Sequence, residues 1–511
     1  MKRSTFFFLV MLSLLTPVYL SAQESSDAKN CTPCERLMNL RLPDVTILQA
    51  KAMQTDTIEG QVIKVPFCRL LGRISKEINF ELLLPNAWNQ RFLMSGGGGF
   101  VGAIQNSLRD KVNLGYATAG TDAGHKGSGL DASWGLDNME RQLDFGKLAV
   151  HLTAVVSKSI INSYYCKTPA YSYFMGCSRG GGQAMVEAQF YPDDFEGIVC
   201  GAPAFDWPGT GAKLLQISQK NYPDPKNLKT PVITKNNLRM LQDEVLKQCD
   251  TLDGVKDGIV SDPRGCKFDF SHLPVSTDTV PAAGYFTAKQ LEAIKTVYTP
   301  LVNKQGTIYP GYPFGAENAK GGWDLWIAGN YPGANMPSLH YLFSTGMFKY
   351  LVFNDQWWDY SKYDFSNFFK DTKYASAYLN ATQTDYTEFK KLDRKMIMYH
   401  GWNDPALSAY STVSYYDDVA RKDKDVQSYI RLFLLPGVLH CNGGPGPDEV
   451  DWLTLIRRWV EQGKAPERVV MSKKEGGKIT MTRPVFPYPK VAIYKGKGDP
   501  NLETSFKDGE E

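Results

Sequence analysis

Gly176-Cys177-Ser178-Arg179-Gly180 fits the pattern G-x-S-x-G, with an apolar run at 171–175 before it and a helix-forming run at 180–190 after it. A serine on so tight a strand-to-helix turn has its hydroxyl lifted clear of the sheet, and glycine on either side removes side chains that would clash. Amides at the start of the following helix face the same point and favour developing negative charge. Ser178 is therefore a candidate nucleophile, but its hydroxyl is weak until a neighbouring base takes the proton. Of the six histidines, His440 is best placed: it follows the apolar run 431–435 through Pro436-Gly437 and leads into Gly443-Gly444-Pro445-Gly446. That puts it in a loop at the carboxyl end of a strand. His125, in Thr121-Asp122-Ala123-Gly124-His125, could line the same site, although it precedes the serine. His151, His272, His340 and His400 read as surface or satisfied core histidines.

An acid must hold the imidazole and stabilise its charged form. Asp404 follows the apolar run 395–399 in His400-Gly401-Trp402-Asn403-Asp404-Pro405, so it ends on the same edge as His440. Asp417 and Asp418 fall inside a helix-forming segment, and Asp448 comes after the histidine. The order Ser178, Asp404, His440 is that of an α/β-hydrolase. An oxyanion hole needs two donors. The Arg179 N–H is one, and the run Gly96-Gly97-Gly98-Gly99, directly after a strand over 91–94, is the source of the other.

The elements that must position these residues alternate. Strands are expected over 74–84, 91–94, 115–120, 171–175 and 197–200, with helices over 139–164 and 180–190, a rhythm that predicts a parallel sheet covered on both faces. It stops near Asp206. From there to about Lys390 the chain is rich in Trp, Tyr, Pro, Gly and Asn with two helical patches, as an inserted lid would be. It resumes with strands over 395–399 and 431–435 and helices over 407–421 and 450–462. The tail after Pro466 reads as irregular wrapping, with 507–511 frayed. The expected architecture is an α/β-hydrolase fold: signal peptide 1–22, hydrolase domain 23–205 and 391–511, lid 206–390.

The chain has 511 residues, 43% hydrophobic and 22% charged, enough for one large domain with an insertion or for two domains. A net charge of +3 without a Lys/Arg block gives no reason to expect nucleic acid or an anionic membrane as partner. Met1-Lys2-Arg3 and the apolar run 6–20 suit a secretory signal peptide, cut near Ser21-Ala22-Gln23, which makes the expected location secreted or periplasmic. The run is short for a membrane-spanning anchor.

Nine cysteines in an exported chain read as disulfides with one left over. Cys31-x-x-Cys34 lacks the second close pair that a zinc site needs. Cys177 adjoins Ser178, and Cys441 adjoins His440. Further motifs are Gly96-Gly97, Thr121-Asp122-x-Gly124-His125, Gly197-Ile198-Val199-x-Gly201-Ala202-Pro203, His400-Gly401-x-x-Asp404, Pro436-Gly437-x-x-His440-Cys441 and Arg483-Pro484. On these residues the sequence, over about 34–506, resembles the tannase and feruloyl esterase family, which also contains mono(hydroxyethyl) terephthalate hydrolase. The resemblance implies a disulfide between Cys177 and Cys441 that ties the two loops together, Gly97 as the second oxyanion donor, and the pairs Cys34–Cys68 and Cys249–Cys266. Phe486 stands where relatives carry a cysteine, and no cysteine follows Cys441 to partner one. Cys31, Cys166 and Cys200 are left unassigned: Cys166 with Cys200 is one option, leaving Cys31 free, and a buried thiol is another.

The segment Cys249-Asp250-Thr251-Leu252-Asp253-Gly254-Val255-Lys256-Asp257-Gly258-Ile259 spaces three carboxylates with glycines, which suits either a solvated acidic turn or a hard cation with oxygen ligands. The resemblance implies a structural Ca²⁺ in the lid, held by the side chains of Asp250, Asp253 and Asp257 and the carbonyls of Val255 and Ile259. The function it implies is hydrolysis of phenolic acid esters, feruloyl or galloyl, whose substrate is a small aromatic ester or a feruloylated polysaccharide. Trp323, Trp326, Phe343 and Trp357 are lid residues that could line its pocket. Two other classes share these features: a non-catalytic phenolic- or carbohydrate-binding protein, against which the intact trio argues, and a secreted serine peptidase.

Overall fold

Gly197–Pro203 is buried along its whole length. A strand without a polar face must be covered by helices on both sides. In the computed structural model, which describes residues 31–278, 284–329 and 336–509, it lies inside a large sheet. The expected signal peptide, 1–22, lies outside the described residues. Nine of the described strands form this sheet: β1 Val45–Met53, β2 Phe67–Ile74, β3 Ile78–Pro85, β4 Arg91–Ser95, β5 Ala117–Thr121, β6 Tyr171–Ser178, β7 Gly197–Pro203, β8 Lys395–Gly401 and β9 Ile430–Leu435. Their order is β1-β2-β3-β5-β4-β6-β7-β8-β9, antiparallel as far as β5 and parallel from β5 onward. This is the α/β-hydrolase fold.

The main helices are α1 Ala149–Tyr165, α2 Arg179–Phe190, α3 Trp207–Asn221, α4 Lys235–Cys249, α5 Ala288–Tyr298, α6 Leu339–Met347, α7 Ala409–Lys422 and α8 Trp452–Gln462. Alternation along the strands sorts the core into two layers. Phe92, Phe174, Ile198, Met396 and Leu432 meet residues of α1, α2 and α7 on one face. Leu93, Tyr173, Val199, Ile397 and Phe433 meet Trp452, Ile456 and Trp459 of α8 on the other. Between β7 and β8 the chain leaves the sheet and builds a separate core from Leu214, Leu238, Leu241, Ile294, Trp323 and Ile327, the segment expected to be a lid.

Four expectations need correction. The run 74–84 is not one strand, because β2 ends at Ile74 and Ser75, with φ of 49°, starts the turn into β3. The helix expected over 139–164 widens at Asp144–Leu148. There the carbonyls of Phe145 and Gly146 turn out of the ladder to accept from the Arg179 guanidinium. Among the described residues the lid holds four helices of nine residues or more, α3 to α6, and shorter ones besides, where two helical patches were expected. The tail is not irregular: Val469–Glu475 pairs with Lys478–Val485, and Val491–Tyr494 with Phe506–Gly509.

The disulfides are Cys34–Cys68, Cys177–Cys441 and Cys249–Cys266, as the resemblance implied, and Cys31–Cys166. The last replaces the option of Cys166 with Cys200. Cys200 is buried within β7 with a free thiol, and Cys31 reaches the end of α1 through its own backbone bond to Tyr164. Among the described residues, no helix is long and apolar enough to cross a membrane.

Candidate active site

Ser178 ends β6 with φ of 63° and ψ of −123°, a conformation that costs an ordinary residue free energy and that only its surroundings maintain. Gly176 must be glycine, because a Cβ there would strike the backbone of Gly180, and one on Gly180 would press on the Gly97 carbonyl at 3.1 Å. The strain turns the serine out of the sheet at the first turn of α2, where Arg179 occupies the first helical position.

The other two residues arrive on neighbouring strand ends. Trp402 N–H donates to Leu435 O at 2.9 Å and Asn403 N–H to Val438 O at 3.1 Å, so the loop after β8 is laced to the loop after β9. Asp404 Oδ2 accepts from His440 Nδ1 at 2.7 Å and from His400 Nε2 at 3.2 Å. Its Oδ1 accepts the amides of Ala406 at 2.7 Å and Leu407 at 3.0 Å. Burial acts to raise the Asp404 pKa, but the neighbouring His440 charge and the hydrogen bonds from both histidines outweigh it and hold the carboxyl well below the usual carboxylate range.

Ser178 and His440 line the same pocket, and the Cys177–Cys441 disulfide, with its Cα atoms 6.0 Å apart, joins the residues beside them. Trp326 meets the His440 ring edge-on, centroids 5.1 Å apart, and stacks on Phe343. Of the four lid aromatics considered from sequence, these two line the pocket. Trp323 is buried in the lid core and Trp357 is 83% exposed.

His125 does not line the site. It is buried, stacked on Trp134, and its Nε2 donates to Phe100 O at 2.8 Å, bracing the loop behind the pocket wall. His400 is a satisfied core histidine, as expected, yet its partner is Asp404, a link the sequence reading missed. Its Nε2 faces the Asp404 carboxylate and the Leu407 carbonyl, so that nitrogen carries the proton, and Nδ1 accepts from Thr412 Oγ1 at 2.8 Å. The spacing of four in His400-x-x-x-Asp404 was the available signal.

The amides of the glycine run have partners of their own. The Gly97 N–H donates to the buried Oε1 of Gln183 at 2.9 Å and the Gly98 N–H to Gln105 Oε1 at 2.7 Å. Gly99 is the member of the run that lines the pocket.

In the lid, Asp250 Oδ1 accepts from Gly258 N–H at 3.0 Å, Asp253 Oδ1 from Val255 N–H at 3.0 Å and Asp257 Oδ1 from Ile259 N–H at 3.1 Å. Arg483 of the tail donates to Asp257 Oδ2 at 2.6 Å. Burial, with the adjacent charge of Asp257, pushes the Asp250 and Asp253 carboxyls upward. The loop also carries Lys256, and among the described residues its three carboxylates do not gather within ligand distance of one another, although they are the oxygen donors a hard dication takes.

Fold and elbow make the chain an α/β-hydrolase, and its likeness to known proteins makes it a carboxylic ester hydrolase. It belongs to the tannase and feruloyl esterase family, whose model, described as tannase and feruloyl esterase, matches residues 60–508. The chain is 32% identical to an uncharacterised esterase of Xanthomonas campestris pv. campestris, over 91% of this chain and 89% of the relative. It is 31% identical to the mono(2-hydroxyethyl) terephthalate hydrolase of Piscinibacter sakaiensis, over 86% and 84%. The crystal structure of feruloyl esterase B from Aspergillus oryzae superposes with a TM-score of 0.83 at 25% identity, over 93% of this chain and 99% of that one.

Proposed function

We propose that this chain is a secreted serine esterase that hydrolyses aromatic, phenolic-type acid esters through an acyl-enzyme. The observation that carries the reading is the covalent link between the residues beside Ser178 and His440, at a pocket where His440 is already fixed on a buried Asp404. His440 takes the Ser178 proton through Nε2 as Oγ attacks the ester carbonyl, while Asp404 holds Nδ1–H and stabilises the imidazolium. The Arg179 amide and the glycine run, through Gly99, take the oxyanion. His440 returns the proton to the leaving alcohol, and a water activated by the same nitrogen then releases the acid. Four disulfides suit an oxidising compartment and support secretion.

The lid loop would hold Ca²⁺ through Asp250, Asp253 and Asp257 with the carbonyls of Val255 and Ile259. Its role there is to neutralise and fix the loop, away from the chemistry. Ser178→Ala is expected to abolish hydrolysis of methyl ferulate and labelling by a fluorophosphonate, with the melting temperature little changed. Retained turnover would remove the reading.

A further inference from the structure

Asp404 Oδ2 accepts two imidazole N–H groups, from His440 Nδ1 at 2.7 Å and from His400 Nε2 at 3.2 Å. Of the two rings, His440 borders the pocket with Ser178, whereas His400 is 1% exposed near the end of β8, four residues before the acid. Both nitrogens of this buried ring are occupied. Nδ1 accepts from Oγ1 of Thr412, itself buried on α7, at 2.8 Å, and Nε2 also faces Leu407 O at 3.0 Å. Two oxygen acceptors at Nε2 require a proton there, which makes His400 a donor to Asp404. The other carboxylate oxygen, Oδ1, is held by the Ala406 and Leu407 amides, but Oδ2 has only the two imidazoles among the described residues. A carboxylate turns easily about its last bond. His440 changes its own protonation state during the reaction, so His400 is the constant donor on Oδ2.

Resting on the serine-esterase reading above, we propose that His400 is a positioning residue for the reaction: its Nε2–H holds Asp404 Oδ2 in line with His440 Nδ1, so that the imidazole keeps the orientation in which its Nε2 serves Ser178. Without that donor, one oxygen of a buried anion depends on the same ring that must accept and release the proton, and the anion is left short of a hydrogen bond. The carboxylate can then relax away from the orientation the base needs. Because His400 does not border the pocket, its influence falls on the chemical step and not on substrate binding. Thr412 supports it from α7 by satisfying the opposite nitrogen.

The test compares His400→Leu and His400→Gln with the wild-type chain by methyl ferulate turnover and by the rate at which a fluorophosphonate labels Ser178, with circular dichroism as the check on folding. Leucine has no donor, whereas a glutamine amide extends about as far as Nε2 and donates. His400→Leu is expected to lower kcat by about tenfold or more with KM within about threefold, and to slow labelling in proportion. His400→Gln is expected to keep kcat within about threefold of wild type. A folded leucine variant with wild-type kcat overturns the proposal, as does a loss carried by KM or a loss of kcat that is equal in the two variants. If the leucine variant does not fold, the glutamine variant decides alone: folded protein with kcat below about one tenth of wild type overturns the proposal. Each of these outcomes leaves the esterase reading standing. A wild-type chain that neither hydrolyses methyl ferulate nor labels at Ser178 removes the esterase reading, and this proposal with it.

Discussion

Asp404 is buried and accepts hydrogen bonds from two backbone amides and two imidazoles, so its ionised form is held by every group around it. Asp404→Asn keeps the shape but replaces an acceptor by an amide that favours the wrong His440 tautomer. The expected result is a fall in kcat of about 10⁴-fold with KM little changed. A second residue prediction concerns His340, buried in the lid, whose Nε2 donates to Pro405 O at 2.7 Å beside the acid loop. Burial lowers its pKa from the ordinary 6.5 to about 4. The unfolded chain takes up that proton first as pH falls, so the contribution is complete above 6.5 and is lost progressively toward 4. At pH 5 the loss is about 2 kcal/mol. The melting-temperature advantage of wild type over His340→Gln should therefore shrink between pH 7 and pH 5; a constant gap contradicts it. Ser178, Asp404 and His440 were legible because each follows an apolar run and their order is diagnostic. Which partners the glycine amides take was not legible, since that depends on two glutamines, Gln183 and Gln105, far from them in sequence or across a turn.

The elements explain why so short a bridge matters. Ser178 comes from the end of β6 and His440 from the loop after β9, with β7 and β8 between those strands. The Cys177–Cys441 link spans 264 residues of sequence and holds the two loops across that gap. Replacing both cysteines with alanine should cost about 2–5 kcal/mol, read from denaturant unfolding. It should also lower kcat at temperatures where circular dichroism shows the variant still folded. Full activity in that folded variant would show that the strands alone position the pair. The central strands were legible because both of their faces are buried and their sequences are continuously apolar. β1 was missed because it is an edge strand with only Ile47 and Ala50 buried among its neighbours, so its pattern resembles a surface loop. The tail hairpin was missed for a similar reason: Lys473, Lys474 and Glu475 on one strand and Lys478 on the other place charge along a pair that lies over the surface.

At the scale of the molecule, the lid has a core of its own and also supplies Trp207, Leu214, Trp326, Phe343 and Met347 to the pocket that Ser178 and His440 line from the sheet side. One attachment of the lid comes from the tail. The Cys249–Cys266 disulfide closes the acidic loop on itself, and Arg483, 1% exposed, reaches from the tail hairpin to Asp257. The guanidinium pairs with Asp257, one of three carboxylates that this loop carries. Calcium at this loop would therefore join tail and lid rather than merely decorate the lid. Chelation with EGTA should lower the melting temperature by several degrees, and millimolar Ca²⁺ should restore it with a dependence on concentration set by mass action. Asp253→Asn should abolish the response to calcium. Arg483→Met should enlarge it, because the loop then relies on the ion alone. An unmoved melting temperature in wild type would mean that Arg483 and the loop amides hold the acidic loop by themselves.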